Sequence, residues 1–154
     1  MTRYAGLEDV TVWSNGTNGH RILGMNQAAF SWFKNVETDG TRNSFAGRHM
    51  ELYAQTYRCE IRDSYVHGSS NYNQGGNAYG IDYQGSECLI ENNIVRELNK
   101  PIVAENSGGG NVIAYNYVDE AIIGSLTNSW QEAAISTHAS FSHSDLIEGN
   151  HTPN

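Results

Sequence analysis

The side chains that could perform acid–base chemistry lie in two short stretches of the chain. Asp82 directly precedes Tyr83, and His138 and His143 lie in a polar segment near the end of the sequence. A histidine near a carboxylate can act as a general base. The sequence therefore predicts Asp82 and His138 as candidate catalytic residues. The alternative is structural: the histidines would occupy a polar turn between two strands, and Asp82 an inert sheet face.

Aromatic and amide side chains near these stretches are candidates for binding a substrate. The candidates are Tyr53, Tyr83, Gln84 and Trp130. A tyrosine or tryptophan ring offers a flat apolar platform with a polar tip, which suits a sugar ring. A row of polar side chains predicted to read Gln55, Gln84, Asn106 and His138 could bind sugar hydroxyls. Ordinary packing of the rings and a plain solvated polar face remain the alternatives.

A repeated pattern supplies the elements that must position these side chains. Its units begin with an apolar residue, pass through a short polar stretch with Asn or a small residue, and end with two apolar residues. Residues 88–95 and 111–118 are the clearest examples. The apolar anchors are Leu7, Phe33, Ile61, Ile90, Ile113 and Ile147, at intervals of 26, 28, 29, 23 and 34 residues. A period in this range is the signature of a solenoid.

Each anchor strand is preceded by a second apolar strand, nine to twelve residues earlier. The chain has 16 Gly and no sustained helical stripe, so short strands and turns are favoured over helices. The sequence predicts an all-β fold: a single right-handed parallel β-helix, or β-solenoid, of about six coils, with residues 1–154 as one domain. In the register expected for the second strands, Asp82 is the only carboxylate in its column, which otherwise reads Tyr53, Ala104 and Ser136.

Three further features follow from stacking the repeats. Ser64, Asn93, Asn116 and Asn150 occupy equivalent positions, which predicts an internal polar ladder with a structural role. Insertions fall at 38–47, 68–77 and 119–132, always between an anchor unit and the next second strand, which places variable loops along one edge. Cys59 and Cys88 are expected on neighbouring rungs, either as buried thiols or as a disulfide.

Composition limits the classes of partner. The net charge is −8 and the nine basic residues are scattered, which argues against nucleic acid, because phosphate binding needs clustered cations. No apolar run is long enough to span a membrane, and no signal peptide is expected at the N-terminus. The localisation is not determined by the sequence. No cysteine and histidine spacing suits zinc, and no metal site is predicted.

The repeat units resemble those of the right-handed parallel β-helix proteins of the pectate-lyase-like superfamily, including bacterial and phage-associated members. The resemblance rests on the residues of 58–67, 88–95 and 145–150, on the Asn ladder and on the one-sided loops. It implies a polysaccharide that lies along the solenoid. It also makes calcium a possible cofactor, although the carboxylate cluster and basic residue of the pectate lyases have no recognisable counterpart here.

Two functions are expected from this reading. The first is a carbohydrate-active or carbohydrate-binding module that acts on a polysaccharide, as a lyase or glycosidase if it is catalytic. The second is a non-catalytic structural or interaction module, a fragment of a surface or phage protein. Both ends of the repeat lack an obvious polar cap. Bare coil ends favour pairing with another chain, so a homo-oligomer is expected.

Overall fold

The computed structural model describes residues 1–14, 21–41, 47–69, 79–121, 133–139 and 142–153. Within these ranges every regular element is a β-strand, and no helix able to cross a membrane is found. The strands form a parallel β-solenoid of about four turns. The predicted fold class is therefore confirmed, but the predicted number of about six coils was wrong. Six anchor strands enclose five intervals and the five second strands enclose four, so counting anchors overestimates the completed turns.

Sixteen strands make up the described solenoid. They are β1 (Thr2–Arg3), β2 (Gly6–Trp13), β3 (Arg21–Met25), β4 (Ala28–Ala29), β5 (Trp32–Asp39), β6 (Arg48–Leu52), β7 (Glu60–Arg62), β8 (Tyr65–His67), β9 (Tyr79–Tyr83), β10 (Leu89–Glu91), β11 (Ile94–Leu98), β12 (Lys100–Glu105), β13 (Val112–Ala114), β14 (Tyr117–Ala121), β15 (Ile135–His138) and β16 (Leu146–Glu148). Most are only three to five residues long, as expected for strands that each cross one face of a narrow coil.

All strand pairs between coils are parallel. The anchor strands β2, β5, β7, β10, β13 and β16 stack in a nine-stranded sheet that β8, β11 and β14 complete. The second strands form a five-stranded sheet in the order β15-β12-β9-β6-β3. β1 pairs with β4 at a third, short side. The anchors pair in the predicted register throughout, from Leu7 with Phe33 to Ile113 with Ile147.

The core lies between the sheets and is built from stacked columns. Ile61, Ile90 and Ile113 are fully buried in the anchor column. Met50, Ile81 and Ile102 are fully buried in the facing column of the five-stranded sheet. Fully burying each such side chain contributes about 1.5–3 kcal/mol. Because parallel strands stack equivalent residues, one apolar position in the repeat produces a continuous core.

The turn after each anchor strand carries the predicted polar ladder. The Asn93 amide donates to Asn116 Oδ1 at 2.9 Å, and the Asn116 amide donates to Asn150 Oδ1 at 2.9 Å. One residue earlier, the backbone adopts a left-handed conformation in every coil, at Asp63 (φ 55°) and Asn92 (φ 54°) among others. Asp and Asn tolerate this conformation better than most residues. The internal ladder is thus confirmed as scaffold.

Cys59 and Cys88 begin a second ladder at the preceding corner. Both side chains are buried free thiols on neighbouring rungs. Asn111 and Asp145 continue the column, and the Asn111 amide donates to Asp145 Oδ1 at 3.0 Å. The structure agrees with the interpretation of the cysteines as small buried side chains. Burial raises the pKa of the Cys88 thiol to about 11, which lowers its reactivity.

The predicted register of the five-stranded sheet was wrong. One inward column contains Met50, Ile81, Ile102 and Ile135. The predicted register had instead aligned Leu52 and Val103 with Ile81 and Ile135. Both Met50 and Leu52 point into the core, so hydrophobicity does not distinguish them. Val103 follows Ile102 and is also buried. The corrected register changes which polar residues face one another on the outer side of this sheet.

Candidate functional site

The outer face of the five-stranded sheet carries a buried cluster of charged side chains. Glu51 on β6 and Asp82 on β9 are direct partners in the register, and neither has any exposed surface. Two carboxyl groups directly opposite each other on parallel strands repel when both are ionised. The prediction that Asp82 is the only carboxylate in its column was therefore wrong, because Glu51 lies directly beside it. A compensating charge or a bound proton is needed at this point.

Arg48 supplies the compensating charge. Its Nε lies 2.5 Å from Asp82 Oδ2, and its Nη2 lies 2.7 Å from Glu105 Oε2. The same Nε lies 3.6 Å from Glu51 Oε1. The guanidinium also covers the ring of Tyr79, with its central carbon 4.7 Å from the ring centre. One side chain thus connects three coils of the solenoid.

Arg21 completes the cluster on the adjacent coil. Its Nε lies 2.6 Å from Glu51 Oε2, and its guanidinium lies 5.1 Å from the ring centre of Tyr53. The carboxylate cluster is defined here as Glu51, Asp82 and Glu105 with the two guanidinium groups of Arg21 and Arg48. The contacts of Arg48 with Asp82 and Glu105 are charge-assisted hydrogen bonds, which are about twice as strong as neutral ones.

The two carboxyl groups that share Arg48 differ in their pKa values. Burial raises the pKa of Asp82 to about 7 against the opposing effect of Arg48, and the charges of Glu105 and Glu51 raise it further. Burial also opposes ionisation of Glu105, but its hydrogen bond to Arg48 and the guanidinium charge outweigh this and keep its pKa below the ordinary value. Asp82 therefore gives up its proton only around neutral pH, whereas Glu105 is ionised at lower pH.

Several oxygen atoms of the cluster are buried without a hydrogen-bond partner among the described residues. They are Asp82 Oδ1 and both Oε atoms of Glu51. Glu51 lies within ion-pair distance of Arg21, but the groups are not aligned for a hydrogen bond. Buried polar atoms are rarely left unsatisfied, so these enclosed oxygens are unusual for a purely structural ion-pair network.

An accessible row of side chains borders the cluster at the C-terminal ends of the strands. Leu52, Tyr83, Ala104 and Thr137 are register partners, so the residues that follow them form the row Tyr53, Gln84, Glu105 and His138. Tyr53 is 36% exposed, and the side chains of Glu105 and His138 are 19% and 60% exposed. At about 4.8 Å between neighbouring strands, the row spans roughly 14 Å.

The row links the two predicted catalytic residues. His138 Nδ1 lies 3.8 Å from Glu105 Oε1, and the other oxygen of Glu105 binds the guanidinium that also binds Asp82. Gln84 and Tyr53, predicted to bind substrate, lie in the same row. The predicted row contained Gln55 and Asn106, but the corrected register replaces them with Tyr53 and Glu105.

Two predicted binding residues are not placed at this site. Tyr83 is fully buried in the hydrophobic core, so its ring is not available to a ligand, and its assignment as a stacking platform is corrected. It points inward because its partners in the register are the core residues Leu52 and Ala104. Trp130 lies outside the described residues.

Sequence reasoning missed Arg48, Glu51 and Glu105. In sequence Glu51 is an isolated carboxylate, and Arg48 and Glu105 were not singled out, since no local motif contains all three. A correct register would have placed Glu51 beside Asp82 and Glu105 beside His138. That register was the one signal in the sequence that could have found the site.

A cation is not required to explain the cluster. Among the described residues, no group of three or more His, Cys, Asp or Glu side chains is arranged to hold a metal ion. The negative charge of the cluster is balanced by Arg21 and Arg48 instead.

A wider groove lies elsewhere, along the turns that follow the anchor strands. It has a volume of about 540 Å³, and Asp9, Asn35, Asp63 and Asn92 line it. The amide of Asn35 donates to Asp9 at 2.7 Å, and that of Asn92 donates to Asp63 at 2.8 Å. Because these side chains pair with one another, the groove is better explained as a solvated corner than as a site of chemistry.

Comparisons with protein families, with curated proteins and with solved structures find no match to this chain. The parallel β-solenoid is therefore established by the structure itself, and any activity has to be argued from the geometry of the carboxylate cluster.

Proposed function

We propose that this chain is a carbohydrate-active β-helix module that hydrolyses glycosidic bonds of a polysaccharide at the carboxylate cluster. One observation carries the proposal: Arg48 binds both Asp82, whose pKa is raised to about 7, and Glu105, whose pKa is lowered. Glycoside hydrolysis needs a carboxylic acid that protonates the leaving oxygen and a second group that activates water. Titratable groups whose pKa values are pushed apart are typical of such acid and base pairs.

The exposure of the three groups assigns their roles. Glu105 is partly exposed in the row, whereas Asp82 is buried behind it. Glu105 would contact the glycosidic oxygen and pass on the proton that Asp82 supplies, so that Asp82 becomes ionised. His138, the most exposed titratable group of the row, would accept a proton from the attacking water. The hydroxyl then adds to the anomeric carbon as the glycosidic bond breaks.

We also propose the pectate-lyase-like superfamily as the family of this chain, with a bacterial or phage source. The internal Asn ladder, the parallel sheets and the insertions between the anchor units and the second strands support this relationship. Within that family a polysaccharide lying along the solenoid would cross the row of Tyr53, Gln84, Glu105 and His138 from coil to coil.

The proposal is tested by reducing-sugar release from a panel of neutral and acidic polysaccharides. Glu105→Gln should lower the rate about 10²- to 10⁴-fold, since it removes a positioned acid. Asp82→Asn should lower it as well, because the proton reservoir is lost. Glu87→Gln is the matched control: this carboxylate binds Arg58 on another side of the solenoid and should leave the rate unchanged. No hydrolysis of any polymer, together with no retardation in affinity gels, would contradict the proposal.

A second candidate is a non-catalytic structural module. It is favoured by the fact that both guanidinium groups of the cluster bind carboxylates of the chain itself, as in a structural ion-pair network. A purely structural network predicts that Glu105→Gln changes the melting temperature while the protein neither binds nor cleaves any glycan.

A further inference from the structure

We infer that the substrate of the carboxylate cluster is an uncharged polysaccharide and not a polyuronate. This inference rests on the proposed function, and it concerns only which class of polymer the outer face of the five-stranded sheet accepts. It is carried by the charge of that face and by the partners of its cations.

The cluster offers no spare positive charge to a carboxylate of the substrate. Its two guanidinium groups face three carboxyl groups of the chain. Arg48 contacts all three carboxyl groups, and Arg21 lies against Glu51. A uronate would therefore have to displace an existing ion pair, or bind beside Glu51 and Glu105 and be repelled by them.

Lys100 is the remaining described Lys or Arg on the strands of this sheet, and its backbone lies at the opposite end of the strands from the row. It pairs with Tyr79 at the start of the strands, and its Nζ lies 5.2 Å from the ring centre of Tyr79. The backbone of Glu105 is at the other end of the same strand, about 17 Å from that of Lys100 at 3.3 Å per residue. In sequence, the segments outside the described residues contribute a single Lys or Arg, which is Arg42.

The polar groups that remain are suited to hydroxyl groups. The side chain of Glu105 is partly exposed in the row and offers carboxylate oxygens as acceptors. Gln84, in the row, adds an amide with both a donor and an acceptor. The exposed ring of Tyr53 offers an apolar platform at the end of the row. Sugar hydroxyls satisfy such acceptors by donating hydrogen bonds, which a carboxylate group is unable to do.

The test compares a polyuronate with the same polymer after chemical reduction of its carboxyl groups to alcohols. The two polymers share their linkage and length, so charge is the variable that differs. Binding is measured by affinity electrophoresis with Glu105→Gln, and cleavage with the unmodified protein. We expect the reduced polymer to bind at least tenfold more tightly and to be the one that is cleaved. The Glu105→Gln substitution removes a negative charge and by itself favours binding of the polyuronate. Tighter binding of the reduced polymer by this variant is therefore a stringent test of the inference.

Each alternative outcome has a distinct meaning. Equal or tighter binding of the polyuronate, with cleavage of it, overturns the inference and leaves the proposed hydrolytic function standing. Neither binding nor cleavage of any polymer in the panel overturns the proposed function, and the inference with it.

A second variant checks that charge is the cause. Glu51→Gln keeps the size of the side chain and removes one negative charge from the face. The preference for the reduced polymer should then narrow several-fold, whereas Glu87→Gln on the other side should leave it unchanged. Thermal melting verifies that Glu51→Gln is folded. A preference that stays the same in a folded Glu51→Gln variant would overturn the electrostatic basis of the inference.

Discussion

Arg48 is the side chain on which the charged outer face depends. It reaches Asp82, 34 residues away in sequence, and Glu105, 57 residues away. Its side chain is only 14% exposed, and those of Glu51 and Asp82 have no exposed surface. Removing one partner of a buried charge network leaves the others without compensation, which costs more than losing an exposed ion pair.

Replacement of Arg48 should therefore destabilise the fold strongly. Arg48→Met keeps the length of the side chain and removes its charge, and we expect a loss of about 3–5 kcal/mol in the free energy of unfolding. Urea denaturation at neutral pH provides the measurement. Arg58→Met, at an exposed pair with Glu87, is the control and should change little. Equal losses in the two variants would show that the cluster is not a buried network.

Asp82 should make stability depend on pH in an unusual direction. Its pKa rises from 3.8 to about 7 on folding, so the folded state binds more protons between these values, and this contribution to stability falls as pH rises from about 4 to 7. His49 acts oppositely in the same window, because burial lowers its pKa from 6.5 to about 4. Folding lowers the pKa of Glu105, so its contribution to stability also increases with pH. That contribution is lost over a lower pH range than the one for His49.

The contribution of Asp82 is isolated by comparing the native chain with Asp82→Asn. The free energy of unfolding of the native chain, minus that of the variant, should decrease steadily as pH rises from 4 to 7. Urea denaturation at several pH values measures this difference. A difference that increases over the same range would mean that Asp82 is ionised in the folded state.

At the scale of the element, each turn after an anchor strand is fixed by its Asn side chain. Asn116 is 1% exposed and takes part in four hydrogen bonds: its amide donates to Ile90 O and Asn150 Oδ1, and its Oδ1 accepts from the backbone and side chain of Asn93. The side chain therefore joins three successive coils. This explains why Asn recurs at a position where a small polar residue would fit as well.

Loss of this side chain should weaken the stack. Asn116→Ala leaves several buried polar groups unsatisfied, each of which costs about 1–3 kcal/mol, so a total of at least 3 kcal/mol is expected. Chemical denaturation gives the value. Asn92→Gly on the exposed side of the preceding turn is the control, because glycine accepts the φ of 54° found there. If Asn116→Ala were as stable as this control, the internal ladder would not contribute to stability.

The strands of the five-stranded sheet illustrate where prediction from sequence failed. The segment around Met50, Glu51 and Leu52 alternates inward and outward, whereas the one around Ile102 and Val103 presents adjacent apolar residues. Strand pairing has a period of two, so a one-residue error turns each side chain to the other face. The anchor strands escaped this error because their Asn turns fix the register.

At the scale of the whole molecule, the last described coil exposes its part of the core. Ile147 is 49% exposed, whereas its column neighbours Ile113 and Ile90 are fully buried. Leu146, on the same strand, is 48% exposed. Among the described strands, β16 pairs with β13 alone. An apolar strand with an open edge favours pairing with another chain.

Self-association through this coil end therefore remains a prediction. Sedimentation at increasing protein concentration should detect an oligomer, and Ile147→Lys should weaken it about tenfold or more. Ile94→Lys is the matched control, since Ile94 is 46% exposed on the side of the solenoid, where both neighbouring strands are present. A protein that stays monomeric at all concentrations would contradict the prediction, as would equal effects of the two variants.

The sequence by itself determined the architecture, because a solenoid repeats local information. The spacing of Leu7, Phe33, Ile61 and their successors, with Asn in the following turn, specifies which strands stack and in which register. The same local reasoning selected Asp82 and His138 as candidates. Only the tertiary structure brought Arg48, Glu51 and Glu105 to them, since these contacts join different coils across a sheet whose register the hydrophobic pattern leaves open. The charges and pKa values of the site arise from that juxtaposition and from burial, neither of which any single repeat contains.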